Sequence, residues 1–299
     1  MKLGFTMIIA ALPPIGPRDC EVPAEKLAWA KVVVLGTTGL VGGECVDMFR
    51  RNGIQVIAPT RETFSIECDR IVVAPGLREI MMNYPIVDAV HQSDMYNALE
   101  NSFSDIFPAH LSYLLAGRGS ELPYLQFSTG GVYGGSSELI RDDSPINPLT
   151  PYARMKLTAE ENCRNTFPTH KILRLFFPYG LAQRRERLVS RLIQKIRQGE
   201  PIFCNEDGGP RVSIIDAKDV SQVVWEQLRS PWIGTRNLAG GESVRISELV
   251  MEIGKILQVK PLLQSNATSE MSLLAAPYDE RNWESIKKSP VLRQMCLLQ

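Results

Sequence analysis

Four consecutive apolar residues, Val32-Val33-Val34-Leu35, follow Lys31 and end at Gly36. A run without polar alternation fits a strand buried on both faces, as in a parallel sheet. Apolar positions then return at helical spacing. Val41, Cys45, Val46, Met48 and Phe49 form an inward stripe, and Asn52-Gly53 supplies the stop. A second strand spans Gln55 to Ala58 and closes at Pro59-Thr60-Arg61, and a third apolar run covers Ile71 to Ala74 after Asp69. Strands alternating with helices predict an α/β fold built on a Rossmann-type, doubly wound parallel sheet.

Between residues 77 and 127 the periodicity is broken by Pro85, Pro108 and Pro123, with a helix expected over His110 to Ala116 and a strand over Tyr124 to Phe127. A helix from Ala153 to Arg164 and a buried strand from Ile172 to Phe176 follow. From Pro178 the elements are short and interrupted by Gly208-Gly209-Pro210 and Gly240-Gly241, which suits a smaller lobe over the open end of the sheet. The expected division is a Pro-rich leader over 1–30, a dinucleotide-binding Rossmann domain over 31–177, and a C-terminal substrate lobe over 178–299 with some elements returning to the sheet.

Charge and cysteine content narrow the function. Lys plus Arg and Asp plus Glu both number 33, so no excess positive field exists to hold nucleic acid or an anionic membrane. The six cysteines are scattered, with neither a Cys-x-x-Cys pair nor histidines at metal-finger spacing, so no metal site is expected and the protein reads as reduced and cytoplasmic. Phe5 to Leu12 is apolar and follows Lys2, yet it is short and Pro13-Pro14 interrupts it, unlike a secretory signal. No run approaches the ~20 apolar residues of a membrane-spanning helix.

Gly36-Thr37-Thr38-Gly39-Leu40-Val41-Gly42 lies directly between the first strand and its helix. Glycine there permits a tight turn and close backbone approach, and a helix N-terminus offers unpaired N–H groups and partial positive charge to a pyrophosphate. An acidic residue closing the second strand would bind the adenosine ribose hydroxyls. Thr60 and Arg61 stand there instead, and Arg61 suits a 2′-phosphate, which favours NADP over NAD.

Tyr152 and Lys156, four apart near a helix start, project from one face. A phenol ionises near pH ~10, and an adjacent ammonium favours its phenolate. Such a pair suits proton transfer at a substrate hydroxyl, and the ammonium can also bind the nicotinamide ribose. Thr129, at the end of the preceding strand, supplies a hydroxyl to polarise the substrate oxygen.

These residues resemble the extended short-chain dehydrogenase/reductase superfamily, in its NAD-dependent epimerase/dehydratase branch. The matching segments, in order, are Gly36-x-x-Gly39-x-x-Gly42, Asp69 to Gly76, Ser128-Thr129-x-x-Val132-Tyr133-Gly134, Asp143-Ser-Pro, Tyr152-x-x-x-Lys156, Leu173-Arg174 to Tyr179-Gly180, Gly199-Glu200-Pro201, Val212 to Val220 and Asn237 to Gly241. The resemblance implies a bound NAD(H) or NADP(H), Tyr152 as acid/base, Lys156 as its ribose-binding partner and Thr129 as the hydroxyl on the reacting oxygen. It adds Ala74 and Tyr179 to the cofactor contacts, and Ser128, Gly130, Arg185 and Arg211, with Arg184 and Arg187, to the substrate contacts. It further implies a homodimer and a small-molecule substrate, in many relatives a nucleotide sugar.

The departures from the family pattern also carry expectations. Gly130-Gly131 stand where sugar dehydratases carry an Asp-Glu pair, which argues against dehydration. Phe177 replaces a usual Asn and Val212 a common Arg, so a reductase of a non-sugar ketone stays open beside a nucleotide-sugar epimerase or reductase. A non-catalytic dinucleotide sensor is disfavoured by the intact Tyr152, Lys156 and Thr129. The strand contacting the cofactor is either Ile71 to Ala74 or Ile86 to Val90, and the tail from Lys260 carries no family signature.

Overall fold

The computed structural model describes residues 30–59, 64–67, 70–73, 75–89, 115, 122–265, 272–273, 275 and 288–298. The elements through the first half are β1 (Lys31–Leu35), α1 (Leu40–Arg51), β2 (Gln55–Ile57), β3 (Phe64–Glu67), β4 (Arg70–Val73), α2 (Pro75–Asn83), β5 (Ile86–Asp88), β6 (Tyr124–Thr129), a 3-10 turn (Gly130–Tyr133), α3 (Pro151–Thr166) and β7 (His170–Leu175). The second half adds β8 (Pro178–Tyr179), α4 (Leu188–Gln198), β9 (Ile202–Cys204), β10 (Arg211–Ser213), β11 (Ile215–Asp216), α5 (Ala217–Arg229), β12 (Gly234–Leu238), β13 (Ser243–Arg245), α6 (Ile246–Leu257), β14 (Leu263–Ser265) and α7 (Pro290–Leu298).

Six strands form one sheet in the order β12-β7-β6-β5-β1-β2, and every pairing in it is parallel. The continuous apolar run of β1 has its reason here. Val32 and Val34 pack with Cys45 and Phe49 of α1 and Val220, Val223 and Val224 of α5 on one face. Val33 and Leu35 pack with Met81, Cys163 and Phe167 on the other. With both faces covered by helices, β1 has no polar side to show.

The expectation for the third strand is corrected. Arg70–Val73 pairs antiparallel with Phe64–Glu67 in a separate two-stranded ribbon, and Ala74 lies outside the described residues. The strand beside β1 is Ile86–Asp88, the other alternative. Glu67 pairs with Arg70, so the two strands are near neighbours in sequence and their pairing closes only a short stretch of chain.

Helix α3 begins at Pro151, two residues before the expected Ala153. Thr150 caps it by accepting the Ala153 N–H at 3.1 Å, and proline suits the first helical position because its missing N–H would have no partner there. Beyond β8, α4, α6 and α7 enclose a second core of Val189, Ile193, Leu249, Ile253, Leu292 and Met295. Two parts of the chain's second half depart from a simple appended lobe. β12 returns to the main sheet beside β7, and α7, from the tail that carries no recognisable motif, buries Leu292 and Met295 completely.

Candidate active site

From β1 the chain first adds β2 on one side and then crosses to β5 on the other, so the strand order reverses between β1 and β5. Ligands of open parallel sheets bind at such a reversal, outside the carboxyl ends of the strands. The register brings Leu35 level with Asp88 and Asp88 level with Gln126, so β1 and β5 end at one level on the same edge of the sheet, with β6 running three residues further.

The glycine loop is built for close approach. Gly36 has a φ of 76°, and the Gly39 N–H donates to its carbonyl oxygen at 3.0 Å, closing the turn. A Cβ on Gly42 would lie 2.2 Å from the Gly36 oxygen, so no side chain fits where the helix passes the turn. Gly39 caps α1 with no side-chain hydrogen bond, and the first turn holds no acidic residue. The N–H groups of the helix start and its dipole favour an anion there, and the cradle fits a dinucleotide pyrophosphate.

Thr129 ends β6 and caps the 3-10 turn after it. Its Oγ1 accepts the Gly131 N–H at 3.2 Å, which fixes the oxygen and leaves the hydroxyl hydrogen to be donated. Tyr152, half-buried, stands in the first turn of α3. One turn on, Lys156 is buried, and its Nζ donates to the carbonyl oxygen of Phe127 at 3.0 Å. Burial lowers its affinity for the proton below that of an ordinary lysine, while the charges of Asp88 and then Glu160 oppose that shift. Lys156 and Thr129 thus share the last three residues of β6, 127 to 129, and Tyr152 stands one turn before Lys156 on α3.

A buried network behind them is absent from the sequence expectations. Glu160, with no exposed surface, accepts from Ser128 Oγ at 2.5 Å, from Arg174 Nε at 2.9 Å and Nη2 at 2.8 Å, and from Arg164 Nη2 at 2.5 Å. Arg174 also donates to the Tyr133 hydroxyl at 2.7 Å, and Tyr133 donates to Asn237 Oδ1 at 2.8 Å. Burial raises the Tyr133 pKa despite the adjacent guanidinium, so this phenol is held neutral as a structural link. The available signals were an acid four residues after Lys156 on the same helix face and an arginine inside an apolar strand.

Other expected contacts change place. The Ser128 hydroxyl is turned inward to Glu160 and is not presented to a substrate. Gly130 is buried where a Cβ would meet the Phe176 ring at 2.5 Å, so its smallness serves packing. Tyr179 points into the second core and donates to Ser289 Oγ at 3.0 Å, whereas its neighbour Gly180 is the residue against Leu40 of the glycine loop. Arg211 is engaged with Ser243, at 2.7 Å from the carbonyl oxygen and 2.9 Å from Oγ, and Arg185 is exposed. Thr60 and Arg61 lie outside the described residues.

A cavity of ≈ 390 Å³ opens between Phe177, Leu188, Arg191 and Lys195 on one side and Phe203 and Ile246 on the other. Its cations, Arg191 and Lys195, sit four apart on α4 and are not among the arginines expected to bind substrate. Phe177 has a φ of 37°, a left-handed conformation that favours asparagine or glycine over phenylalanine. Among the described residues no three His, Cys, Asp or Glu side chains converge as metal ligands, and no helix is long and apolar enough to cross a membrane.

Residues 32–237 match the NAD dependent epimerase/dehydratase family. The chain is 29% identical over 171 residues to the uncharacterized UDP-glucose epimerase YtcB of Bacillus subtilis, covering 55% of this chain and 52% of that protein, so it spans about half that relative's length. It is 25% identical over 265 residues to the probable low-salt glycan biosynthesis reductase Agl14 of Haloferax volcanii, covering 81% and 86%. Among solved structures, MoeE5 in complex with UDP-glucose and NAD has the same fold, with a TM-score of 0.67 at 20% identity over 89% of this chain and 96% of MoeE5.

Proposed function

This chain belongs to the NAD dependent epimerase/dehydratase family, and we propose on that premise that it oxidises and reduces a secondary carbinol carbon of a nucleotide sugar, with NAD as its cofactor. The observation that carries the reading is Lys156 donating to Phe127 two residues before Thr129, with Tyr152 one helical turn ahead of Lys156, in a sheet whose β1 runs into a glycine loop that excludes side chains. YtcB, named a UDP-glucose epimerase, and MoeE5, solved with UDP-glucose and NAD, support the substrate class.

Bound NAD supplies the hydride acceptor and donor. The backbone N–H groups at the start of α1 would hold its pyrophosphate, with Gly36, Gly39 and Gly42 allowing the close approach, and Lys156 would bind the nicotinamide ribose. An ammonium carries three donor hydrogens, so its bond to Phe127 is compatible with that role. Tyr152 takes the proton from the substrate hydroxyl on oxidation and returns it on reduction. Thr129 donates its hydroxyl hydrogen to the same oxygen, with its own oxygen held by Gly131. Phe177, Arg191 and Lys195 bind the nucleotide portion in the cavity that they line. Dehydration is disfavoured because Gly130 and Gly131 bring no acid/base side chains next to Thr129.

The relative Agl14, matched over most of its length, favours a second reading as a reductase that releases its oxidised cofactor each cycle. The purified chain is to be assayed with UDP-glucose and a panel of nucleotide sugars, with cofactor absorbance followed throughout. Interconversion of epimers without net cofactor consumption supports the first reading, and stoichiometric consumption of reduced cofactor supports the second. No turnover with any nucleotide sugar, against activity on simple ketones, removes the nucleotide-sugar assignment. Running the panel with NAD and NADP in parallel tests the cofactor, since preference for NADP would restore the role first expected of Arg61. The reading also takes the enzyme to be a cytoplasmic homodimer, which light scattering on the purified chain tests in part.

A further inference from the structure

Two carboxylates are buried under the proposed site on the α3 side of the sheet, Glu160 and Asp88. A carboxylate has about four lone-pair positions, and Glu160 fills them with Ser128, both donor atoms of Arg174, and Arg164. Its charge is already met by two guanidiniums. Lys156 is only 5% exposed and donates to a neutral carbonyl, and a buried ammonium is costly unless a negative charge accompanies it.

Asp88 is 6% exposed and ends β5, level with Gln126, whose neighbour Phe127 receives the Lys156 ammonium. Its Oδ2 accepts the Tyr124 hydroxyl at 3.1 Å, and Tyr124 lies on the β6 face covered by Cys163 of α3. Lys156 and Cys163 are seven residues apart on one face of α3, and the charge of Asp88 acts on both. Among the described residues Asp88 meets Tyr124 from β6 and acts on Lys156 and Cys163 from α3, two groups on which Glu160 also acts. Glu160 is matched by two arginines, and of the two carboxylates that favour the Lys156 ammonium, Asp88 acts the more strongly.

We infer that Asp88 is a positioning residue whose carboxylate is the counter-charge of Lys156, keeping the ammonium protonated and held against β6 where the cofactor ribose and Tyr152 meet it. The electrostatic pairing rests on the burial of both groups on the α3 side of the sheet and on the register of β5 with β6. Its consequence for turnover rests on the function proposed above.

A double-mutant cycle on the full chain separates the two. Urea unfolding of the wild type, D88N, K156M and D88N/K156M is expected to show that each single change lowers the midpoint, and that the double change loses clearly less than the sum. Additive losses would overturn the pairing. Should D88N not fold, recovery of folded protein in D88N/K156M supports the pairing, and failure of the double alongside a folded K156M overturns it. In the pH profile of kcat/KM, D88N is expected to move the alkaline limb about one unit toward acid, because an unaccompanied Lys156 loses its proton sooner. A coupled cycle with an unmoved profile keeps the pairing and removes Lys156 from the proposed chemistry.

Discussion

A side-chain carbon on Gly42 would stand 2.2 Å from the carbonyl oxygen of Gly36, whereas the same atom on the adjacent Gly43 would come no nearer than 3.5 Å to Thr37. Two neighbouring glycines in one helix thus face opposite tests. Gly42→Ala is expected to force the turn open, lowering dinucleotide affinity at least tenfold and stability by about 1–3 kcal/mol. Gly43→Ala is expected to leave both near wild type, or raise stability slightly through better helix propensity. Cofactor titration by fluorescence and urea unfolding of both variants check this, and equal effects would remove the steric account of the loop.

Tyr152→Phe removes the proposed acid/base and little packing, since the residue is half-buried. Turnover is expected to fall by about 10² to 10⁴, with cofactor affinity unchanged within twofold. Steady-state assays on the nucleotide sugar that proves active, paired with cofactor titration, measure both. Turnover close to wild type takes Tyr152 out of the mechanism.

Glu160→Gln leaves Arg174, buried on β7, with one charge partner fewer. Breaking a buried pair from one side is expected to cost about 3–5 kcal/mol, read as a lower urea midpoint. Arg164 is a third exposed and offers little rescue to the network when the acid is gone. A loss under 1 kcal/mol would show that the pair contributes no more than a surface bridge.

Asp216 caps α5 by accepting the Lys218 N–H at 2.9 Å, yet burial raises its pKa from the ordinary 3.8 to about 6, with Asp219 and Glu44 adding to the shift and Lys218 opposing it. A carboxyl with a raised folded-state pKa favours folding while protonated, and that benefit is lost as pH rises from about 4 to about 6. Asp216→Asn keeps a capping oxygen and drops the charge. Its gain over wild type is expected to be about 1 kcal/mol at pH 7, after discounting for partial solvent screening, and to vanish below pH 4. Thermal melts of both proteins between pH 4 and 7 test the sign, and a variant less stable at pH 7 contradicts it.

Local pattern was enough for much of this molecule. The unbroken apolar run of β1 could only be a doubly covered strand, the spacing of Val41, Cys45, Val46 and Phe49 made α1, and the glycines between them marked an anion cradle before any contact was visible. That Tyr152 and Lys156 share one helix was legible for the same reason, because a four-residue spacing is one helical turn. What local pattern does not carry is pairing at a distance. Ile71 to Val73 and Ile86 to Asp88 look equally strand-like, and the partner across the sheet decided which of them flanks β1. Direction was hidden as well: Ser128 faces Glu160, Tyr179 faces Ser289 and Arg211 faces Ser243, each drawn away from its expected contact by a partner 32 to 110 residues distant. The sequence by itself determined the strand-loop-helix chemistry of the first half, since those constraints act within a few residues. Only tertiary structure decided how the buried charges are matched and that the motif-free tail closes the second core, because desolvation and packing depend on neighbours the chain brings together last.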